Sequence, residues 1–135
     1  MRVLFWYCRR FEWQPTIKTL EDAPEAAPAA LKNAVVAFIH VEPADVAPGS
    51  SAETKLVKNA KWLARKWETS TVVLHSFTHL GDEKAPAEDA LSLLERAKTR
   101  LESAGYQSPI TPYGYYNDLV IDATGHPLAR IYKAF

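Results

Sequence analysis

A single α/β domain with a mixed β-sheet is the fold class this sequence predicts, and three observations carry that reading. Strand-like apolar runs alternate with two segments of helical periodicity. One run, Ala34-Val35-Val36-Ala37-Phe38-Ile39-His40-Val41, is almost unbroken in its apolarity, which fits a strand covered on both faces. The tail then closes with two strand-like runs about a turn. At 135 residues the chain is long enough to bury one core without staples, and no repeat or internal boundary divides it. Residues 1–135 are therefore read as one domain.

Taken in order, Arg2 to Phe11 is rich in aromatic and branched residues and reads as the first strand. Glu21 to Asn33 is rich in alanine and proline; Pro24 and Pro28 disfavour a long helix, leaving a loop followed by at most a short one. The apolar run from Ala34 to Val41 is the second strand. From Ser51 to Glu68, Leu56, Ala60, Leu63 and Trp67 recur at helical spacing with lysines opposite, and Ser50 or Ser51 can cap the start after Pro48-Gly49. Thr71 to Phe77 is a third strand. Pro86 to Ala104 is a second helix, with proline in its first turn, Glu88 and Asp89 at the positive end of its dipole, and Gly105 as its stop. Ala90, Leu94, Ala97, Leu101 and Ala104 form its apolar stripe. Asp118 to Asp122 and Leu128 to Tyr132, joined through Ala123-Thr124-Gly125-His126, suggest a hairpin.

Composition narrows the function classes. Apolar residues at 47% and charged residues at 24% suit a globular chain, and no apolar run is long enough to cross a bilayer. Sixteen basic residues balance sixteen acidic ones, which argues against a protein gripping a long duplex through many phosphates but not against one that holds a single-stranded tip. The N-terminal residues lack the pattern of a signal peptide, and one cysteine, Cys8, forms no internal disulfide. A cytoplasmic, non-membrane protein is expected.

Most motif tests are negative. His75 and His79 stand four apart, but across a strand end and without the glutamate of a zinc-protease motif, so no metal site is expected. Cys8 lies among strand-forming residues and reads as a packed thiol rather than a nucleophile. No glycine-rich phosphate loop or nucleophile elbow occurs, and no cofactor is implied. Of the tryptophans, Trp6 and Trp67 read as core, while Trp13 and Trp62 stay open between packing and base stacking.

Three stretches in order carry a resemblance: Phe77-Thr78-His79-Leu80, Pro112-Tyr113-Gly114-Tyr115-Tyr116 and Gly125-His126-Pro127-Leu128-Ala129. With the Met1-Arg2-Val3-Leu4 start and the Val36 to Glu42 segment, they resemble the N-terminal editing domain of archaeal threonyl-tRNA synthetase over nearly the whole chain. The resemblance implies a D-aminoacyl-tRNA deacylase-like fold, a homodimer, and a proofreading deacylase that hydrolyses L-seryl-tRNA(Thr) in cis or in trans to the synthetase catalytic region. Its partner is the 3′ end of aminoacylated tRNA(Thr). Such an activity has a physical rationale: serine lacks one methyl of threonine, and one methyl supplies only about 1–3 kcal/mol of discrimination. Ester hydrolysis needs a placed water, a proton acceptor and oxyanion donors. The resemblance implies that the terminal adenosine 2′-hydroxyl and backbone amides serve these needs.

Carried over by position, His79, Tyr116 and Asn117 are the expected catalytic positions; the backbone at Ala37, Phe38, Ser76, Phe77 and Thr78, together with Tyr115 and Arg130, is expected to bind substrate. Histidine suits proton transfer near neutrality, or it can donate one fixed hydrogen bond. The family pattern has lysine at Asn117, glutamate at Arg130, proline at Ser76 and alanine at Thr78. These changes bear on rate and specificity rather than on fold. Arg130 is the expected replacement for the missing cation, although its fixed fork differs from a lysine point charge. Alternatives on the same fold are a D-aminoacyl-tRNA deacylase and a catalytically silent tRNA-end-binding domain.

Overall fold

The computed structural model describes residues 1–135. Five strands and two helices follow in the order β1 (Arg2–Lys18), β2 (Ala29–His40), α1 (Ala52–Lys66), β3 (Thr71–Ser76), α2 (Ala87–Ser103), β4 (Tyr115–Ala123) and β5 (Arg130–Ala134). The sheet runs β3-β2-β1-β4, with β5 also on β1. The β2–β3 pair is parallel and every other pair antiparallel. This is the mixed α/β class that the sequence predicts.

β1 organises the sheet. Its first half, Arg2–Trp6, pairs with β5, and its second half, Cys8–Lys18, pairs with β4 along the same edge. The expected hairpin between the last two strands is therefore absent: β4 and β5 each pair with β1, end to end. A register shift between Cys8 and Arg10 marks the changeover. It also flips the alternation, because Leu4, Trp6 and Cys8 face the same side of the sheet as Phe11 and Trp13. Pro15 is tolerated because β2 stops pairing at Trp13, so its missing N–H disrupts no central ladder.

β2 starts earlier than its apolar run. Ala29–Asn33 is strand, not a short helix, because Trp13 to Arg10 of β1 offer it a backbone partner from Ala29 to Lys32. Tertiary pairing here overrides the helix preference of alanine. Beyond Asn33 the strand is buried on both faces. Val35, Ala37 and Ile39 join Val3, Phe5, Val72 and Leu74 beneath the helices, whereas Ala34, Val36 and Phe38 join Cys8, Phe11, Trp13 and Val73 on the other face.

Both helices pack on one face through their apolar stripes, Leu56, Ala60 and Leu63 from α1 and Leu93, Leu94, Ala97 and Leu101 from α2. Ser51 stands at the α1 N-cap without a side-chain cap bond; Ser50 Oγ instead accepts from the Ala52 N–H at 3.2 Å. α1 ends with Glu68 in the left-handed region and the Thr69 N–H bonded to the Ala64 carbonyl at 3.0 Å. Trp67 stacks on Tyr7 with ring centroids 3.9 Å apart, and its Nε1–H donates to the Leu128 carbonyl at 3.0 Å. Trp13 is buried, donating to the Ala27 carbonyl, whereas Trp62 is exposed beside Lys66. No helix is long and apolar enough to cross a membrane.

Candidate functional site

A cavity of about 500 Å³ opens where β3 ends, between the β3–α2 loop and the segment leading into β4. Parallel pairing with β2 carries β3 to this end of the sheet, and the Phe77 N–H still bonds the Ile39 carbonyl at 2.9 Å. The chain then leaves the sheet, and His40 holds the departing loop. Its Nδ1 accepts from the Leu80 N–H at 3.0 Å, which leaves Nε2–H to donate to the Glu83 carbonyl at 2.7 Å. The Ala85 N–H returns to the Val41 carbonyl at 2.9 Å. His40 is 1% exposed, so this loop is tied to a buried ring rather than to solvent. The Thr78 and His79 backbone N–H groups make no hydrogen bond.

The opposite wall is fixed by Gly114. Its φ of +83° is a left-handed conformation, and a Cβ there would lie 2.9 Å from Ala23 Cβ and 3.2 Å from Leu20 Cβ. Its carbonyl accepts from the Thr19 N–H at 2.7 Å, closing the 19–23 turn against the wall. Tyr113 reaches across to α2 by donating its hydroxyl to the Ala87 carbonyl at 2.7 Å, and Tyr115 donates to the Pro24 carbonyl at 2.7 Å. These tyrosines act as struts, a use of the phenol that needs no titration.

Three polar side chains set the chemistry. His75 is buried in the cavity lining, its Nδ1 2.8 Å from Thr111 Oγ1 and its ring 4.7 Å from that of Phe38. Burial pushes its pKa down to about 4, so it is a neutral imidazole at physiological pH. Asn117 donates through Nδ2 to the Pro112 and Tyr115 carbonyls at 3.3 and 3.5 Å. That fixes the amide orientation and leaves Oδ1 buried, with no hydrogen-bond partner and no surface open to the cavity that Asn117 helps to line. His79 is exposed, edge-on to Phe77 with centroids 5.1 Å apart and free of hydrogen bonds. No aspartate or glutamate lines the cavity, so a carboxylate general base is not available there. No group of three or more His, Cys, Asp or Glu residues could hold a metal.

The sequence matches the family described as the archaea-specific editing domain of threonyl-tRNA synthetase over residues 1–135. The chain belongs to that family. It is 29% identical over its whole length to the threonine–tRNA ligase of Pyrobaculum neutrophilum, and 31% identical to that of Pyrobaculum calidifontis, again over its whole length. The ligase of Thermococcus gammatolerans is 27% identical over 97% of the chain. The domain spans 22% of the length of each of these ligases. A solved structure, the c-Myc DNA Unwinding Element Binding Protein, superposes with a TM-score of 0.69 at 10% identity, covering 100% of this chain and 99% of that one. That similarity shows a shared fold.

Within the editing domain, Ser76, Phe77, Thr78, His79, Tyr115, Tyr116 and Asn117 all line the one cavity. Ala37, Phe38 and Arg130 do not. The Ala37 side chain points into the helix-side core. Phe38 lies on the other face of the sheet, behind His75 and Phe77, with centroids 4.7 and 5.1 Å away. Arg130 sits opposite Trp6 in the β1–β5 ladder, its guanidinium 5.6 Å from the Trp6 ring, because β5 pairs with the first half of β1 whereas Asn117 pairs with Pro15 in the second. The expected replacement of the missing cation by Arg130 finds no support in that geometry.

His75, Thr111 and Lys84 also line the cavity, although no sequence motif marks them as site residues. A histidine inside an otherwise apolar strand is the available signal for His75; Thr111 and Lys84 carry no local signal. Cys8 is fully buried away from the cavity, and burial together with the nearby Asp122 carboxylate pushes its thiol up to about 12. It is packing, not a nucleophile.

Proposed function

We propose that this domain hydrolyses L-seryl-tRNA(Thr), acting in cis or in trans to a threonyl-tRNA synthetase catalytic region. The observation that carries the reading is one cavity lined by seven of the ten positions that the family resemblance marks. Water adds to the ester carbonyl carbon, the bond from that carbon to the ribose 3′-oxygen breaks, and free serine and an uncharged tRNA end leave.

Developing negative charge on the carbonyl oxygen falls to the free Thr78 and His79 amides, held in place because His40 ties down the loop that follows. With no carboxylate in the lining, the substrate's own 2′-hydroxyl orients the water and relays its proton to the departing 3′-oxygen, or the exposed His79 imidazole takes that proton and returns it there. Neutral His75 contributes a fixed hydrogen bond to Thr111 rather than a proton.

The test is release of amino acid from L-Ser-tRNA(Thr), L-Thr-tRNA(Thr) and a D-seryl ester by the purified chain. Rapid loss of L-serine with threonine left attached is expected. Preference for the D-ester would replace the reading with a D-aminoacyl-tRNA deacylase, and tRNA-end binding without turnover would leave a silent domain.

A further inference from the structure

We propose that Lys84 grips a phosphodiester of the substrate's 3′-terminal nucleotides at the mouth of the cavity. This rests on the editing reading above and adds the group that holds the polynucleotide. Lys84 is the one Lys or Arg side chain lining the cavity, and it faces no carboxylate there. It is exposed and makes no ion pair, whereas Arg2, Arg9, Arg10, Arg96 and Arg100 are each engaged by an acidic partner. A chain with no net charge offers a polyanion no attraction through its net charge, so locally placed cations have to supply it.

The backbone at Lys84 is already ordered. On one side the Glu83 carbonyl accepts from His40 Nε2–H at 2.7 Å, and on the other the Ala85 N–H donates to the Val41 carbonyl at 2.9 Å. Binding then has only side-chain rotamers left to freeze, which lowers the entropic cost of the contact. Asp82, Glu83, Glu88 and Asp89 flank Lys84 in sequence, and none lines the cavity. The exposed position suits a phosphate outside the pocket better than an oxyanion forming within it.

The experiment uses a CCA trinucleotide bearing serine through a 3′-amide, which cannot be hydrolysed, and a phosphate-free seryl-3′-aminoadenosine. Binding of both to wild type, Lys84→Gln and Lys84→Arg is measured against KCl concentration. Lys84→Gln should weaken trinucleotide binding about five- to tenfold at low salt and flatten the slope of log Kd against log salt by about 0.7, the contribution of one single-strand phosphate. Lys84→Arg should stay near wild type, and the phosphate-free probe should bind all three alike. An unchanged Kd and slope in Lys84→Gln, an equal loss on the phosphate-free probe, or a wild type that does not bind the trinucleotide would each overturn the proposal. Hydrolysis of L-Ser-tRNA(Thr) is scored separately. A wild type that binds but releases no serine sinks the editing reading and leaves the Lys84 contact standing.

Discussion

Replacing Gly114 by alanine should damage the domain far more than the same change at Gly105, although both glycines have positive φ. Gly105 sits at +93° behind α2 with nothing within 4 Å of where an added methyl would lie, so its substitution carries only the conformational penalty, about 1–2 kcal/mol. Gly114, at +83°, carries the same penalty and also drives a methyl to 2.9 Å from Ala23 Cβ and 3.2 Å from Leu20 Cβ. Neither of those atoms is the free end of a flexible side chain, so the 19–23 turn has to move. Overpacking of this kind costs about 1–3 kcal/mol more, giving a loss of roughly 2–5 kcal/mol at Gly114. Urea unfolding of both variants reads the difference directly. Since the Gly114 carbonyl also holds the Thr19 N–H, the cavity wall should shift and L-serine release should fall in whatever fraction stays folded. Equal destabilisation of the two variants would refute the close-approach argument and leave backbone conformation as the sole constraint.

Two buried titratable groups give further tests. His75 falls from an ordinary pKa of 6.5 to about 4 on folding, so the unfolded chain takes up its proton first as pH drops. Its neutral form supports stability fully above about pH 6.5, loses that support between 6.5 and 4, and supplies none below; between pH 7 and 5 the loss is about 2 kcal/mol. Urea titrations of wild type against His75→Gln should show that slope only in wild type, and parallel profiles would sink the assignment. Cys8, its thiol pushed up to about 12 and fully buried, should resist iodoacetamide in the native chain and react at once in urea. Alkylation at the rate of a free thiol in the folded state would contradict its placement.

The helices are legible in the sequence because their stripes, Leu56-Ala60-Leu63 and Ala90-Leu94-Ala97-Leu101, obey a local period and are bounded by Pro48-Gly49, Pro86 and Gly105. β2 is legible from Ala34 onward for the matching reason: burial on both faces leaves an apolar run. Its first residues, Ala29 to Asn33, are not, since their strand conformation comes from β1 and not from their own preferences. The C-terminal strands show the limit more sharply. Asp118–Asp122 and Leu128–Tyr132 look like partners across a turn, yet each pairs with β1, more than a hundred residues away in the chain.

The site divides the same way. Phe77 to His79 and Tyr115 to Asn117 are contiguous stretches, so a resemblance in sequence locates them together. Lys84 becomes a cavity residue only once His40 folds the loop back, through a contact between residues forty positions apart. Arg130 is near Asn117 in sequence but belongs to the other half of the β1 edge.

The central claim, that the cavity under the β3–α2 loop is where the seryl ester is cut, is tested most directly by plugging it. Thr78→Trp places a large ring in the lining of a half-buried loop position and leaves the core untouched. Release of serine from L-Ser-tRNA(Thr) is then compared between this variant and wild type, with circular dichroism and urea unfolding confirming an intact fold. The account predicts rapid release by wild type and at least a hundredfold loss in the plugged domain, on the order of the cost of misplacing the reacting groups. Release by the folded, plugged variant at the wild-type rate would contradict it and put the chemistry elsewhere on the molecule.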